Sequence, residues 1–367
     1  MKKISIVLGL IASAVVAWAG NPDRQGEAGA YELLLNPWAR SAGLHGLCAA
    51  NVSGIDAMRI NPAGLGAMTS DMRVAIGHSQ YLVGTTLTMN ALGFAKKFGK
   101  RSTLGVEIMN LDFGNINATT NDRPEGTGIT FSPLYLNLGL TYCYSFEERI
   151  YTAITARFIS EQLPYAAAAG VSFDAGIQYH TGTNKEIKIG IALRNIGTKM
   201  TFSGDGLSQF VNNTNQGAGG TTFTIDRRSQ GFELPTQMLI STSYDFFFGN
   251  AMASNSDAAD NVKLKQSTKE HRLTALGSFI ANSFSNDQYG IGAEYGYKEM
   301  FMARVGYKYE SSGSSEFPST LDAGLSAGAT IQVPINMRKT KYFGFDYSYR
   351  TSAVWSGTHN FSLRIDL

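Results

Sequence analysis

The chain has 367 residues, 31 Lys+Arg against 29 Asp+Glu, and a formal net charge of +2. That balance excludes the clearly basic surface that nucleic-acid binding requires. Mean hydropathy is −0.10 with 16% charged residues, 11% aromatics and 40 Gly, which excludes a helical membrane protein and a disordered chain and suits apolar residues that alternate with polar ones.

Lys2 and Lys3 precede an apolar stretch, Ile4 to Val16, too short to span a bilayer. Ala17-Trp18-Ala19 then has the form of a cleavage site. Residues 1–19 are expected to be a secretory signal peptide, with an exported mature chain starting at Gly20.

Residues 20–69 do not alternate. Gly29 to Gly66 is rich in Gly and Ala, carries little charge and contains Asn61-Pro62-Ala63-Gly64-Leu65. Its apolar residues (Leu33 to Leu35, Trp38, Leu44, Leu47) argue against a solvated tail. A compact, small-residue segment ahead of the first strand suits a hatch that plugs a barrel. Within the motif, Pro62 fixes φ, Gly64 permits close backbone approach and Asn61 can turn the chain on its own backbone.

Past residue 20 no apolar run nears the ~18 residues of a transmembrane helix. Period-two alternation predicts strands at 70–80, 87–98, 102–113, 134–145, 149–160, 171–181, 186–196, 234–248, 271–281, 287–297, 300–310, 319–333, 341–350 and 358–367. The last is the cleanest: Phe361, Leu363, Ile365 and Leu367 share one face, and Asn360, Ser362, Arg364 and Asp366 the other. Fourteen strands is an even number, as in single-chain bacterial barrels. The predicted fold is all-β: a transmembrane antiparallel barrel over 70–367 with the hatch in its lumen. Short turns at 146–148, 182–185 and 298–299 then fall on the periplasmic side, and the long connections 114–133 and 197–233 outside. The long polar link 249–270 disagrees, since it lands on the periplasmic side. Either a strand is miscounted or the barrel carries an unusual periplasmic loop.

Candidate chemistry is sparse. His45, His78, His180, His271 and His359 are scattered without metal-ligand spacing, and no nucleophile elbow or phosphate-cradling loop occurs. The carboxylates Asp174, Glu294 and Asp346 read as structural partners of Arg157, Arg194, Arg304 and Arg350 across a polar lumen. No catalytic, metal or cofactor site is expected. Cys48 and Cys143 are the two cysteines, and export places them where disulfides form. Leu134, Leu136, Leu138, Leu140, Tyr142 and Tyr144 share the lipid face, so Cys143 points into the lumen that the hatch with Cys48 fills. A bridge between them would pin the plug to the wall; two buried free thiols are the alternative.

Tyr31-Glu32-Leu33-Leu34, Trp38-Ala39-Arg40-Ser41-Ala42-Gly43 and the Asn61–Leu65 motif resemble the N-terminal signature of the PorV/PorQ family of outer-membrane proteins. Further matches are Phe158-Ile159-Ser160-Glu161, Gly170 to Gly176, Arg194-Asn195-Ile196-Gly197, Gly292-Ala293-Glu294-Tyr295 and Asp346-Tyr347-Ser348-Tyr349, in family order along the mature chain. That family is similar in fold to the FadL-type fatty-acid transporters, fourteen-stranded barrels whose N-terminal hatch carries Asn-Pro-Ala. The resemblance implies an outer-membrane location in a Gram-negative bacterium of the Bacteroidota. It also implies a relative of the type IX secretion shuttle protein, whose own hatch motif departs from Asn-Pro-Ala-Gly-Leu.

Three functions follow. The leading expectation is a non-catalytic barrel subunit of a secretion or outer-membrane assembly complex, with other outer-membrane proteins, lipid and lipopolysaccharide as partners. The alternative is a FadL-like transporter of hydrophobic small molecules. The third is a lipopolysaccharide-modifying enzyme. Arg, Lys, Asp and Tyr on the lumen faces count against a lipid path, and no positioned nucleophile and base supports an enzyme.

Overall fold

The computed structural model describes residues 20–213, 221–251, 269–311, 321, 323–335, 341–352 and 355–367; the expected signal peptide lies outside them. Fourteen strands form one closed antiparallel barrel. They are β1 (Met72–Gln80), β2 (Thr88–Phe98), β3 (Ser102–Asp112), β4 (Leu134–Phe146), β5 (Ile150–Leu163), β6 (Ala166–Thr181) and β7 (Ile187–Gly197). They continue with β8 (Gln237–Ala251), β9 (Lys269–Asn282), β10 (Gln288–Tyr297), β11 (Phe301–Glu310), β12 (Gly324–Pro334), β13 (Tyr342–Arg350) and β14 (Thr358–Asp366). Each strand pairs with its neighbour in the chain, and β1 closes on β14 with Ile76 opposite Leu363.

All fourteen strands lie where alternation predicts them. β6 starts earlier than expected, because Ala166 to Gly170 pairs with Ile159 to Leu163 although its small side chains carry no alternation signal. Alternation also assigns the faces. Phe361, Leu363 and Ile365 are exposed outward while Asn360, Ser362, Arg364 and Asp366 are buried inward. Phe98, Phe146, Tyr179, Tyr297 and Phe301 stand outward at the strand ends nearest the short turns, the arrangement of an interfacial girdle.

The link between β8 and β9 does sit at the short-turn end, with 99–101, 147–149, 182–186 and 298–300. No strand is miscounted there: the long connection belongs to that side, and its middle, 252–268, lies outside the described residues. A second departure is a bulge where β6 meets β7, between Phe173 and Ala175. Asn195 adopts a left-handed φ of 60° there, which Asn tolerates better than most residues.

Ahead of β1, the chain from Ala28 to Met68 is almost entirely buried, in short turns such as Tyr31–Leu34, Ala39–Ala42, Ala57–Ile60 and Pro62–Leu65. It touches inward-facing groups on opposite sides of the ring. Trp38 reaches Glu107 on β3, Leu47 O accepts from Ser241 on β8, and Gly43 O accepts from Ser326 on β12. A segment in contact with every side of a closed wall is inside the bore.

Faces set substitution costs. Leu363→Arg, near the middle of β14 on the lipid side, is expected to cost about 2–4 kcal/mol, and Ile365→Arg, near the strand end, about 0–1 kcal/mol. Denaturant unfolding of the protein refolded into vesicles measures both. Ser362 is no neutral inward control, because its Oγ accepts from Ala39 N at 2.9 Å and no open lumen lies beyond it.

Candidate functional site

The site is the seam between the bore segment and the wall. Its first part is built on Glu107, fully buried on β3. Trp38 Nε1 donates to Glu107 Oε1 at 2.8 Å and Arg59 Nε to the same oxygen at 3.0 Å, while Arg157 Nη1 on β5 reaches Oε2 at 3.3 Å. Arg157 also donates to Met58 O at 3.0 Å and to Asp174 at 3.1 Å. Asp174 takes the backbone N–H of Asn195 at 2.7 Å, so the bulge leaves that donor satisfied, and Arg194 beside it donates to Leu33 O at 3.1 Å.

A second network crosses β9 to β14. Glu294 receives Arg272 at 2.8 Å, Arg304 at 3.1 Å and, from the bore segment, Arg40 at 3.7 Å. Asp346 lies 3.9 Å from both Arg304 and Arg364. A third fastening pairs Arg73 with Asp366, and Arg73 also donates to Ser53 O at 3.3 Å. Removing one member of such a buried set strands the other charges, which typically costs about 3–5 kcal/mol.

The Asn61–Leu65 motif docks on β6. Asn61 Nδ2 donates to Ala49 O at 2.8 Å and to Ile177 O of the wall at 3.1 Å, while its Oδ1 accepts from Ala63 N at 3.2 Å. Gln178 Nε2 donates to Ala49 O at 2.9 Å and Val52 O at 3.1 Å. Gly176 supplies the space: a Cβ there collides with Asn61 Oδ1 and sits 3.0 Å from Pro62 Cδ. Between Arg40, Asp56 and Glu294 a void of about 20 Å³ leaves room for one water-sized molecule.

The expected structural role of Asp174, Glu294 and Asp346 is seen directly, with Arg157 and Arg304 as partners. Arg194 departs from expectation, turning to a backbone carbonyl of the bore segment. Sequence reasoning missed Glu107, Arg59 and Arg40. An isolated Arg in a small-residue segment and a Glu among inward positions were the available signals. The proposed disulfide is corrected: Cys48 and Cys143 are free, buried thiols. Cys48 packs with Leu44, Leu47 and Ile60, whereas Cys143 packs with Trp38, Leu65 and Tyr151 and donates to Ala63 O at 3.4 Å. Burial pushes the Cys48 thiol up to about 12.

Toward the long-link end the lumen changes character. Leu35, Met89 and Leu111 cluster with Tyr81, Phe113 and Tyr135, and Leu33, Ile159, Met200 and Leu234 with Phe202 and Phe232. At this end the sector over β2 to β6 is therefore largely apolar, while Lys308 and Glu310 on β11 and Arg350 on β13 are buried and inward on the other side of the ring. Between the two clusters lie Glu32 and Glu161, both buried. Burial, reinforced by Glu161, pushes Glu32 up to about 8, with Arg59 opposing.

No protein-family profile matches the sequence, and none of the curated proteins does. Among solved structures the chain is similar to the toluene transporter TbuX of Ralstonia pickettii, at TM-score 0.53 and 16% identity over 90% of this chain and 98% of that one. The Pseudomonas putida toluene transporter TodX gives TM-score 0.51 and 11% identity, over 90% and 97%. The monoaromatic hydrocarbon channel CymD gives 0.50 and 14%, over the same shares. At these identities the likeness is one of fold alone. It corrects the leading expectation of a secretion or assembly subunit: these three barrels are a hydrocarbon channel and two toluene transporters.

Two outcomes test the seam. Gly176→Ala is expected to destabilise by about 1–3 kcal/mol through overpacking against Asn61 and to raise single-channel conductance, read in a planar bilayer. Glu32 is protonated in the fold between its ordinary 4.5 and about 8, so its contribution is complete below 4.5 and lost as pH rises through 8. Proteolysis of residues 20–35 is expected to accelerate from pH 5 to pH 9, and Glu32→Gln to flatten that rise.

Proposed function

We propose that this chain is an outer-membrane channel of a Gram-negative bacterium that admits hydrophobic small molecules, gated by the segment in its bore. One observation carries the reading: two apolar, aromatic clusters line the mouth over β2 to β6, above a seam where Arg59–Glu107 and Arg40–Glu294 fasten plug to wall. A solute that leaves water for that mouth gains about 25 cal/mol per Å² of apolar surface buried. Likeness in fold to the toluene transporters supports the same reading. The long links 113–133 and 198–236 then face outward, and the short turns, together with the β8–β9 link, face the periplasm. The ordered motifs that resemble the PorV/PorQ family fit the same barrel architecture.

Mechanism follows from the seam. Its packing leaves no room for an organic solute, so passage requires the plug to shift relative to β3, β5, β6 and β10. Ion pairs suit that task because their net stabilisation is small even though each partner is costly to strand. The reading is of binding and passage, not catalysis.

The test locks the plug. Ala39 N lies 2.9 Å from Ser362 Oγ, so Ala39→Cys with Ser362→Cys places two thiols at the plug–wall contact. Cells producing the oxidised double variant are expected to take up a radiolabelled aromatic hydrocarbon several-fold more slowly than cells producing the wild type. Reduction is expected to restore the rate. Equal uptake in the oxidised and reduced states overturns the reading.

A further inference from the structure

One concavity lies on the outer wall instead of in the bore. A groove of about 470 Å³ runs across β4 to β7, with Tyr142, Tyr144, Ile154 and Ile177 on its sides. Its floor is Thr152 and Ala175, small residues on the outward face. Pairing places Ala175 beside Ile154 and Leu193, and Thr152 beside Tyr144 and Ile177, so large side chains surround a dent. In a bilayer the dent faces hydrocarbon, and leaving it empty forfeits dispersion contacts along its lining.

The groove ends in a polar rim near the short turns. Arg101 Nη1 donates to the Tyr144 hydroxyl at 3.4 Å, and the Ser102 and Tyr142 hydroxyls are 3.1 Å apart. Lys100, Arg101, Arg149 and Lys185 stand at the adjoining turns against Glu147, Glu148 and Glu186, with Lys185 already bound to Glu148 O at 2.7 Å. An apolar slot, hydroxyls at interfacial depth and an excess of cations at headgroup depth follow in that order along the wall. This is the charge and polarity sequence of an anionic phospholipid.

We propose that the groove binds one acyl chain of an anionic phospholipid of the periplasmic leaflet, with its phosphate held by Arg101 and the Tyr142 and Tyr144 hydroxyls. The leaflet follows from the orientation given under the proposed function. The site itself depends only on the outer wall. It lies one wall thickness from the plug motif, since Ile177 contributes its side chain to the groove and its carbonyl to Asn61.

Native mass spectrometry of the full chain tests this, with phosphatidylglycerol and phosphatidylcholine of identical palmitoyl and oleoyl chains as probes. The wild type is expected to retain phosphatidylglycerol several-fold over phosphatidylcholine. Arg101→Gln is expected to remove the preference, and Ala175→Phe, which fills the groove, to reduce retention of both lipids. Thr152→Leu is a second, milder filling variant, and heat-modifiable gel mobility checks that each variant is folded. Equal retention of the two lipids by the wild type, or unchanged retention in folded groove-filled variants, overturns the proposal. Loss of headgroup preference together with slower hydrocarbon uptake in Ala175→Phe also overturns it and assigns the groove to the transport path. None of these results bears on the locked-plug experiment, so the two readings fail separately.

Discussion

Closure of the sheet is the constraint on which the rest depends. In hydrocarbon every backbone N–H and C=O needs a partner within the protein, and a spanning sheet meets that demand only as a ring. Here the ring closes through the β1–β14 pairing. A ring of eight strands is filled by its own inward side chains, but fourteen leave a bore wider than they can fill. The chain fills it with residues that precede the first strand, and the inner surface is organised around that insertion.

The insertion has one small apolar cluster, around Leu44, Leu47, Val52 and Ile60, and wall residues Leu239, Leu276 and Ile280 complete it. Its turns are four residues long or fewer, and its stability comes from the wall. Two kinds of contact do this. Glycines at Gly176, Gly190 and Gly290 let Asn61, Ala49 and Leu47 approach the strand backbone closely. Carboxylates at Glu107, Glu294 and Asp366 meet arginines contributed by both plug and wall. Close packing gives register, and ion pairs give a fastening that is strong only while all members are present. A plug held in this way has a defined seat and a small net cost of leaving it.

Polarity along the bore divides the labour. Ion pairs gather where the plug meets the wall, while two aromatic and aliphatic clusters sit at the mouth over β2 to β6 and buried charged groups such as Glu310 and Arg350 stand across from them. A tally of inward residue types merges these levels and makes the lumen look uniformly hostile to an apolar solute.

The sequence by itself determined the strands, their faces and the even count, because a period of two is a local property and lipid enforces it on every strand. Phe361, Leu363 and Ile365 declare their side of the wall without reference to any neighbour. It also marked the Asn61–Leu65 motif and some ionic groups of the lumen, such as Arg157, Arg304 and Glu294, but not Arg40, Arg59 or Glu107. Which of these meet was decided only in the tertiary structure. Arg59 and Glu107 are 48 residues apart, Arg73 and Asp366 are 293, and no local pattern encodes such pairings. Cys48 and Cys143 show the same limit: both point into the bore, yet each is packed into a different cluster by the path of the plug. The bulge at Asn195 and the groove over Thr152 and Ala175 also arise from how strands are set side by side, a relation that period two cannot express.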